Sequence, residues 1–178
     1  MFEDGELWQR IGKGDRDAFE SWYRKTAPRL RMFLRHLLGS EQEADDVMQE
    51  IFMQIWRRPH GYDPERGPLR PWLFGVARRQ AAEWRRNQRP TEELDCDPPA
   101  PGRIENDSIV AEALRRLPLD QGTLLWLREV EGQSYQELAA ILEIPVGTVR
   151  SRLFAAREAL RELWFTTPQQ SGGPHDLR

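Results

Sequence analysis

The sequence predicts an all-α protein of two small helical domains joined by a flexible linker, the C-terminal domain containing a helix-turn-helix. Three observations carry that expectation. Apolar residues recur at three-to-four spacing through every long segment. A single acidic, proline-rich stretch without periodicity divides the chain. Near the C-terminus, a short amphipathic segment is followed by a basic one across a turn containing Pro145 and Gly147.

The N-terminal domain, residues 1–90, reads as four helices. Ala18, Phe19, Trp22 and Tyr23, then Leu30, Phe33, Leu34, Leu37 and Leu38, form amphipathic stripes, and Gly39 is a natural stop. A third helix begins near Ser40 or Glu41, with Val47, Met48, Ile51, Phe52 and Ile55 inward and Asp45, Asp46, Gln49, Glu50 and Met53 outward. Acids at its start and arginines at its end suit the helix dipole, so this charge pattern alone requires no function.

HGYDPERGP, from His60 to Pro68, reads as a loop, and a fourth helix is expected to begin close to Pro71. Leu73, Val76, Ala77 and Trp84 fit its inner side. Arg78, Arg85 and Arg89 recur at seven and four, with Arg79 and Arg86 beside them, giving two adjacent basic ridges. About six phosphate contacts from such ridges would give a log-log salt slope of roughly −5. Aromatics beside a basic groove can stack unpaired bases at about 1–3 kcal/mol each. Trp72 suits the core as well as a stacking platform, and Tyr62, in the loop, is the better stacking candidate.

Charge is distributed unevenly. The net charge is −3. Residues 57–90 nevertheless hold 9 Arg and Lys against 3 Asp and Glu, and residues 91–107 hold 1 against 6. The latter stretch, TEELDCDPPAPGRIEND, reads as an extended linker, spanning about 23 Å as a flexible coil and up to about 53 Å in polyproline form. Residues 166–178 read as a disordered tail.

In the C-terminal domain, residues 108–165, Leu138, Ala139, Ile141 and Leu142 form the apolar face of one helix. Val149, Leu153, Ala156, Leu160 and Leu163 form that of the next. Pro145 suits a helix start, and Gly147 permits close backbone approach. With the stripe inward, Thr148, Arg150, Ser151, Arg152, Phe154 and Ala155 lie on or beside the outward face, where a recognition helix meets base edges. Arg157 and Arg161 sit further along, better placed for phosphates. Solvated arginines on a plain helical domain would produce the same local pattern.

Other classes are disfavoured. No apolar run of eighteen residues and no signal-like start occur, so membrane insertion and secretion are not indicated and a cytoplasmic location is expected. Cys96 is the sole cysteine, flanked by Asp95 and Asp97, which disfavour a thiolate; His36, His60 and His175 are scattered. The sequence contains no recognisable catalytic constellation or metal set, and no cofactor is expected.

ADDVMQEIFMQIW, then PWLFGVARR, an acidic linker and SYQELAAILEIPVGTVRSRL closely resemble, in that order, the signature segments of bacterial extracytoplasmic-function (ECF) sigma factors of the sigma-70 superfamily. The resemblance covers roughly residues 8–165. It implies a protein that binds core RNA polymerase, reads minus-35 and minus-10 promoter elements and opens the DNA. Asp46, Gln49, Glu50, Met53 and Trp56 would meet the clamp helices of the largest polymerase subunit, and the C-terminal domain would meet the flap of the second-largest. The loop at Tyr62 to Leu69 and the helix bearing Arg78, Arg79, Arg85, Arg86 and Arg89 would capture the melted minus-10 strand. Thr148, Arg150, Ser151, Arg152, Phe154 and Arg157 would fall on minus-35 DNA.

An anti-sigma partner is implied as well, and the acidic linker would occupy an RNA passage, where neutralising Glu92, Glu93, Asp95 and Asp97 should alter abortive-product release. Arg79 stands where relatives often carry asparagine, and Ala155 where a basic or polar reader is common. Two other readings use the same residues: a stand-alone helix-turn-helix regulator, and a sigma-like decoy that binds only an anti-sigma factor. Two separate basic elements disfavour the decoy, and the acidic docking helix disfavours the simple regulator.

Overall fold

The computed structural model describes residues 2–88, 113–114 and 116–166, and among them every regular element is helical. The linker at 91–107, with Cys96 and its acidic residues, lies outside the described residues, as do Arg89 and the tail from 167.

In the N-terminal domain, α1 (Phe2–Gly12) leads into α2 (Arg16–Leu38). The Asp15 carboxylate accepts from the Ala18 N–H at 3.0 Å and so satisfies one of the donors orphaned at the start of α2. Gly39 ends the helix at φ 77°, a left-handed conformation that suits glycine. Ser40 then caps α3 (Glu41–Arg57) by accepting from Glu43 N–H. Two short 3₁₀ turns, Pro59–Gly61 and Pro64–Arg66, lead to α4 (Leu69–Gln88). This helix starts two residues before Pro71 because Asp4 accepts the Leu69 N–H at 3.2 Å. Pro71 therefore falls in the first turn, where its missing N–H costs nothing.

In the C-terminal domain, α5 (Leu119–Leu125) runs without a break into a wide π turn, Trp126–Val130, which ends with Glu131 N–H donating to Trp126 C=O at 3.1 Å. Next come α6 (Tyr135–Leu142) and α7 (Val146–Thr166). A complete capping box starts α6: Ser134 accepts from Glu137 N–H, while the Glu137 carboxylate accepts from Ser134 N–H. Glu143 closes the helix in the left-handed region, at φ 57° and ψ 41°, and thereby sets the turn into α7.

Leu30, Phe33, Leu34, Ile51 and Leu73 are sealed inside the first domain, and Leu125, Leu127, Leu138, Val149 and Leu153 inside the second. Truncating any of the leucines to alanine would cost about 2–5 kcal/mol. The two cores are continuous. α4 packs on α6 and α2 on α5, with the His36 ring stacked on Trp126 at 5.3 Å. The two domains are docked on one another. Gly122 makes that seam possible, because a Cβ there would lie 2.9 Å from His36 Cε1 and 2.5 Å from Leu114 C=O.

Candidate nucleic-acid interface

The helix-turn-helix forms as expected. Val149, Leu153 and Ala156 are buried, and this register turns Arg150, Ser151, Arg152, Phe154, Ala155 and Arg157 to solvent, with Thr148 half-buried beside them. Phe154 is 68% exposed, an unusual position for a phenylalanine. Arg157 is not free: it donates to Glu129 at 2.8 Å, a bond that holds its guanidinium charged. A Cβ on Gly147 would meet nothing within 4 Å, so no close backbone approach within the chain requires that glycine.

On α4 the basic residues divide. Arg86 is exposed and Arg85 half-buried. Arg78 and Arg79 face the C-terminal domain: Arg78 Nε donates to Ile141 C=O at 3.1 Å, and Arg79 pairs with Glu143 at 3.3 Å. Arg78, Arg85 and Arg152 of α7 converge on a seam cavity of about 190 Å³ with Asp120 among them. Among the described residues both ridges are thus present, but each is engaged at its first arginine, Arg78 or Arg79, by the C-terminal domain.

Tyr62 corrects the sequence reading. It is only 6% exposed, its hydroxyl donates to Gly67 C=O at 2.8 Å, and its ring sits edge-on to Trp8 at 5.1 Å and tilted against Trp72 at 5.3 Å. Burial, with Asp4 and Asp63 nearby, raises its phenol pKa. Tyr62 therefore presents no face to a base here; it staples the loop to the core. Trp72 is half-buried in the same cluster. The loop lies close to two tryptophans from other elements, so an aromatic there can bury more area inward than outward.

A third surface lies between α2 and α3. Phe19, Tyr23, Met48, Phe52, Met53 and Trp56 line an open groove of about 870 Å³, with Gln49 and Asp45 at its edge. Trp56, 38% exposed, contacts Phe19 at 4.9 Å. Asp46 and Glu50 are exposed on the same helix, and Glu50 accepts from Gln54 at 2.9 Å. Arg31 holds the two helices in register through a forked bond to Asp45, whose second arm is 2.8 Å. That guanidinium holds the Asp45 carboxyl below its ordinary range. Phe19 and Tyr23, which form the opposite wall, are indistinguishable from core residues by spacing alone.

A two-domain helical protein with an exposed helix-turn-helix reader and a second basic helix belongs to the class of DNA-binding transcription factors. Comparison with known proteins narrows this. Residues 22–91 match sigma-70 region 2, and residues 108–160 match sigma-70, region 4. RNA polymerase sigma-H factor of Pseudomonas aeruginosa is 30% identical, over 89% of this chain and 92% of its own. ECF RNA polymerase sigma-E factor of Haemophilus influenzae is also 30% identical, over 88% and 93%. Among solved structures, the sigma factor RpoE of Bartonella quintana, in complex with the anti-sigma factor NepR, matches with a TM-score of 0.66 at 26% identity, covering 83% of this chain and 97% of that one. The chain belongs to the ECF RNA polymerase sigma factors: it binds core polymerase and directs promoter-specific transcription initiation. Among the described residues no helix is long and apolar enough to cross a membrane.

Proposed function

We propose that the three surfaces divide the work of promoter recognition. α7 reads the minus-35 duplex from the major groove through Arg150, Ser151, Arg152 and Phe154, with Thr148 and Arg157 at the edges. Arg78, Arg79, Arg85 and Arg86, with Arg89 beyond them, hold the melted minus-10 strand. Asp46, Gln49, Glu50, Met53 and Trp56 dock on the clamp helices of the largest polymerase subunit, the apolar groove taking a helix between its aromatic walls. The C-terminal domain meets the flap of the second-largest subunit. An anti-sigma factor is the natural regulator, in keeping with the complex of the Bartonella quintana relative.

The observation that carries this reading is the solvent-facing row on α7, set against a stripe at Val149, Leu153 and Ala156 that is 0–1% exposed. That register turns Arg150, Ser151, Arg152 and Phe154 to solvent. Run-off transcription with purified core polymerase across a promoter library tests it. Initiation that depends on the added chain and selects promoters is expected; none on any promoter would overturn the reading.

A further inference from the structure

Glu131 follows the π turn and is an acid in an unusual place. Its side chain is 2% exposed, yet its nearest cations come from the other domain: Arg70 of α4 in a close ion pair, and Arg29 of α2 at 3.9 Å. Both arginines are substantially exposed, at 41% and 60% of their side chains. Burying a carboxylate is costly unless it is paired, so this position is held by those two guanidiniums. They stand, with Lys25, at a groove of about 600 Å³ between α1, α2 and α4, whose walls include Leu7, Trp22 and Phe74. The groove's own acid, Asp4, is occupied by the Leu69 N–H.

Taken along α4, the pattern repeats. Arg70 meets the Glu131 carboxylate, Arg78 the Ile141 carbonyl and Arg79 the Glu143 carboxylate. The C-terminal domain offers this helix a row of acceptor oxygens, the same chemistry as a nucleic-acid backbone. Arg70 lies on the helix that carries the minus-10 arginines, about 12 Å of helical rise before Arg78. A strand following α4 toward its N-terminus would arrive at Arg70, Arg29 and Lys25. That continuity favours nucleic acid over an acidic protein as the occupant.

We propose that Arg29 and Arg70, with Lys25 beside them, form an additional phosphate-binding surface for the melted strand. Glu131 covers it in the docked arrangement, so strand loading there requires withdrawal of the C-terminal domain. The inference rests on the reading of α4 as the minus-10 element.

Fluorescence anisotropy of the full chain with a labelled single strand of about twelve nucleotides tests it, between about 50 and 200 mM salt. Glu131→Gln keeps the shape and removes the charge; it should bind at least about three-fold more tightly, because freeing the competent state raises apparent affinity. Its log-log salt slope should steepen by about 1.4, two contacts at roughly 0.7 each for a single strand. Arg70→Gln undoes the same ion pair from the other side and should bring no gain. Adding Arg29→Gln and Arg70→Gln to the Glu131 variant should abolish both gain and steepening. An unchanged Glu131→Gln, a gain that survives the triple substitution, or tighter capture of a glutamate oligomer than of DNA would overturn the proposal.

Should Glu131→Gln unfold on melting, Arg29→Gln/Arg70→Gln in complex with core polymerase on a pre-melted promoter gives the second readout. Retention of the strand should fall several-fold, and unchanged retention overturns the proposal. Loss of all chain-dependent initiation by the unmodified protein would instead sink the underlying reading of α4, which separates the two failures.

Discussion

Arg150 stands on the outward face of α7 with no ion pair among the described residues, so its guanidinium is available to a base edge at no cost in intramolecular contacts. If it forks onto a guanine, Arg150→Ala should cost about 1–3 kcal/mol at a single upstream base pair and relax preference there. Equal loss on every upstream sequence, measured by run-off from a library, would make it a phosphate contact instead. Arg150 and Phe154 were legible in the sequence because the apolar stripe fixes which residues turn outward. Glu131 was not: nothing local distinguishes a carboxylate that another domain buries from the other acids of the same segment. The burial of Tyr62 was not legible for the converse reason, since a loop aromatic reads as exposed until Trp8, more than fifty residues earlier, closes over it.

Helix boundaries were readable at some caps only: the Asp15 cap was missed, and the stripes from Ala18 to Tyr23 and from Leu30 to Leu38, read as two helices, form the single α2. Gly39 and Ser40 both end and start elements where expected, while the start of α4 depends on Asp4, a donor–acceptor pairing sixty-five residues apart that no local pattern announces. The π turn after α5 was equally invisible, because its period differs from the helical one for only a single turn. At this scale the α2–α3 pair makes a pH prediction. Arg31 lowers the Asp45 pKa from the ordinary 3.8, so the pair stabilises the fold fully above about pH 4 and that contribution is lost as pH falls through the lowered value. Asp45 is 46% exposed, which limits the contribution to about 0.2–1 kcal/mol. Thermal melts of Asp45→Asn should differ from the parent by a constant amount near neutrality and converge with it in acid; a difference independent of pH would contradict the assignment. The same helix pair makes a binding prediction. Gln49→Ala/Glu50→Ala removes exposed polar groups at the rim of the aromatic groove and should raise the core-polymerase Kd several-fold. Fold stability and minus-35 DNA binding by the full chain should be unchanged, as checked by melting and anisotropy.

At the scale of the whole molecule, the docked arrangement conflicts with simultaneous promoter reading. Promoter elements about two turns of duplex apart are separated by roughly 70 Å, whereas Arg79 of α4 and Glu143 at the turn before α7 touch at 3.3 Å. Both domains cannot engage their elements without parting, and Arg78 and Arg79 of α4 are engaged meanwhile, whereas Arg150, Ser151, Arg152 and Phe154 of α7 stay exposed. On the proposed assignment of α4 to the melted strand and α7 to the duplex, docking leaves duplex contact possible and hinders strand capture, and core polymerase, by holding the domains apart, would shift that balance. Locking the seam tests this directly. With Cys96→Ser removing the native thiol, Arg79→Cys and Glu143→Cys can be joined by a short bis-maleimide, and the same double variant capped with a mono-maleimide serves as control. The locked chain should lose initiation by about ten-fold or more against the capped control, a ratio that corresponds to roughly 1.4 kcal/mol or more. It should still bind a minus-35 duplex, since Arg150, Ser151, Arg152 and Phe154 are exposed in the docked arrangement. Equal initiation by locked and capped chains would mean that the domains do not need to part.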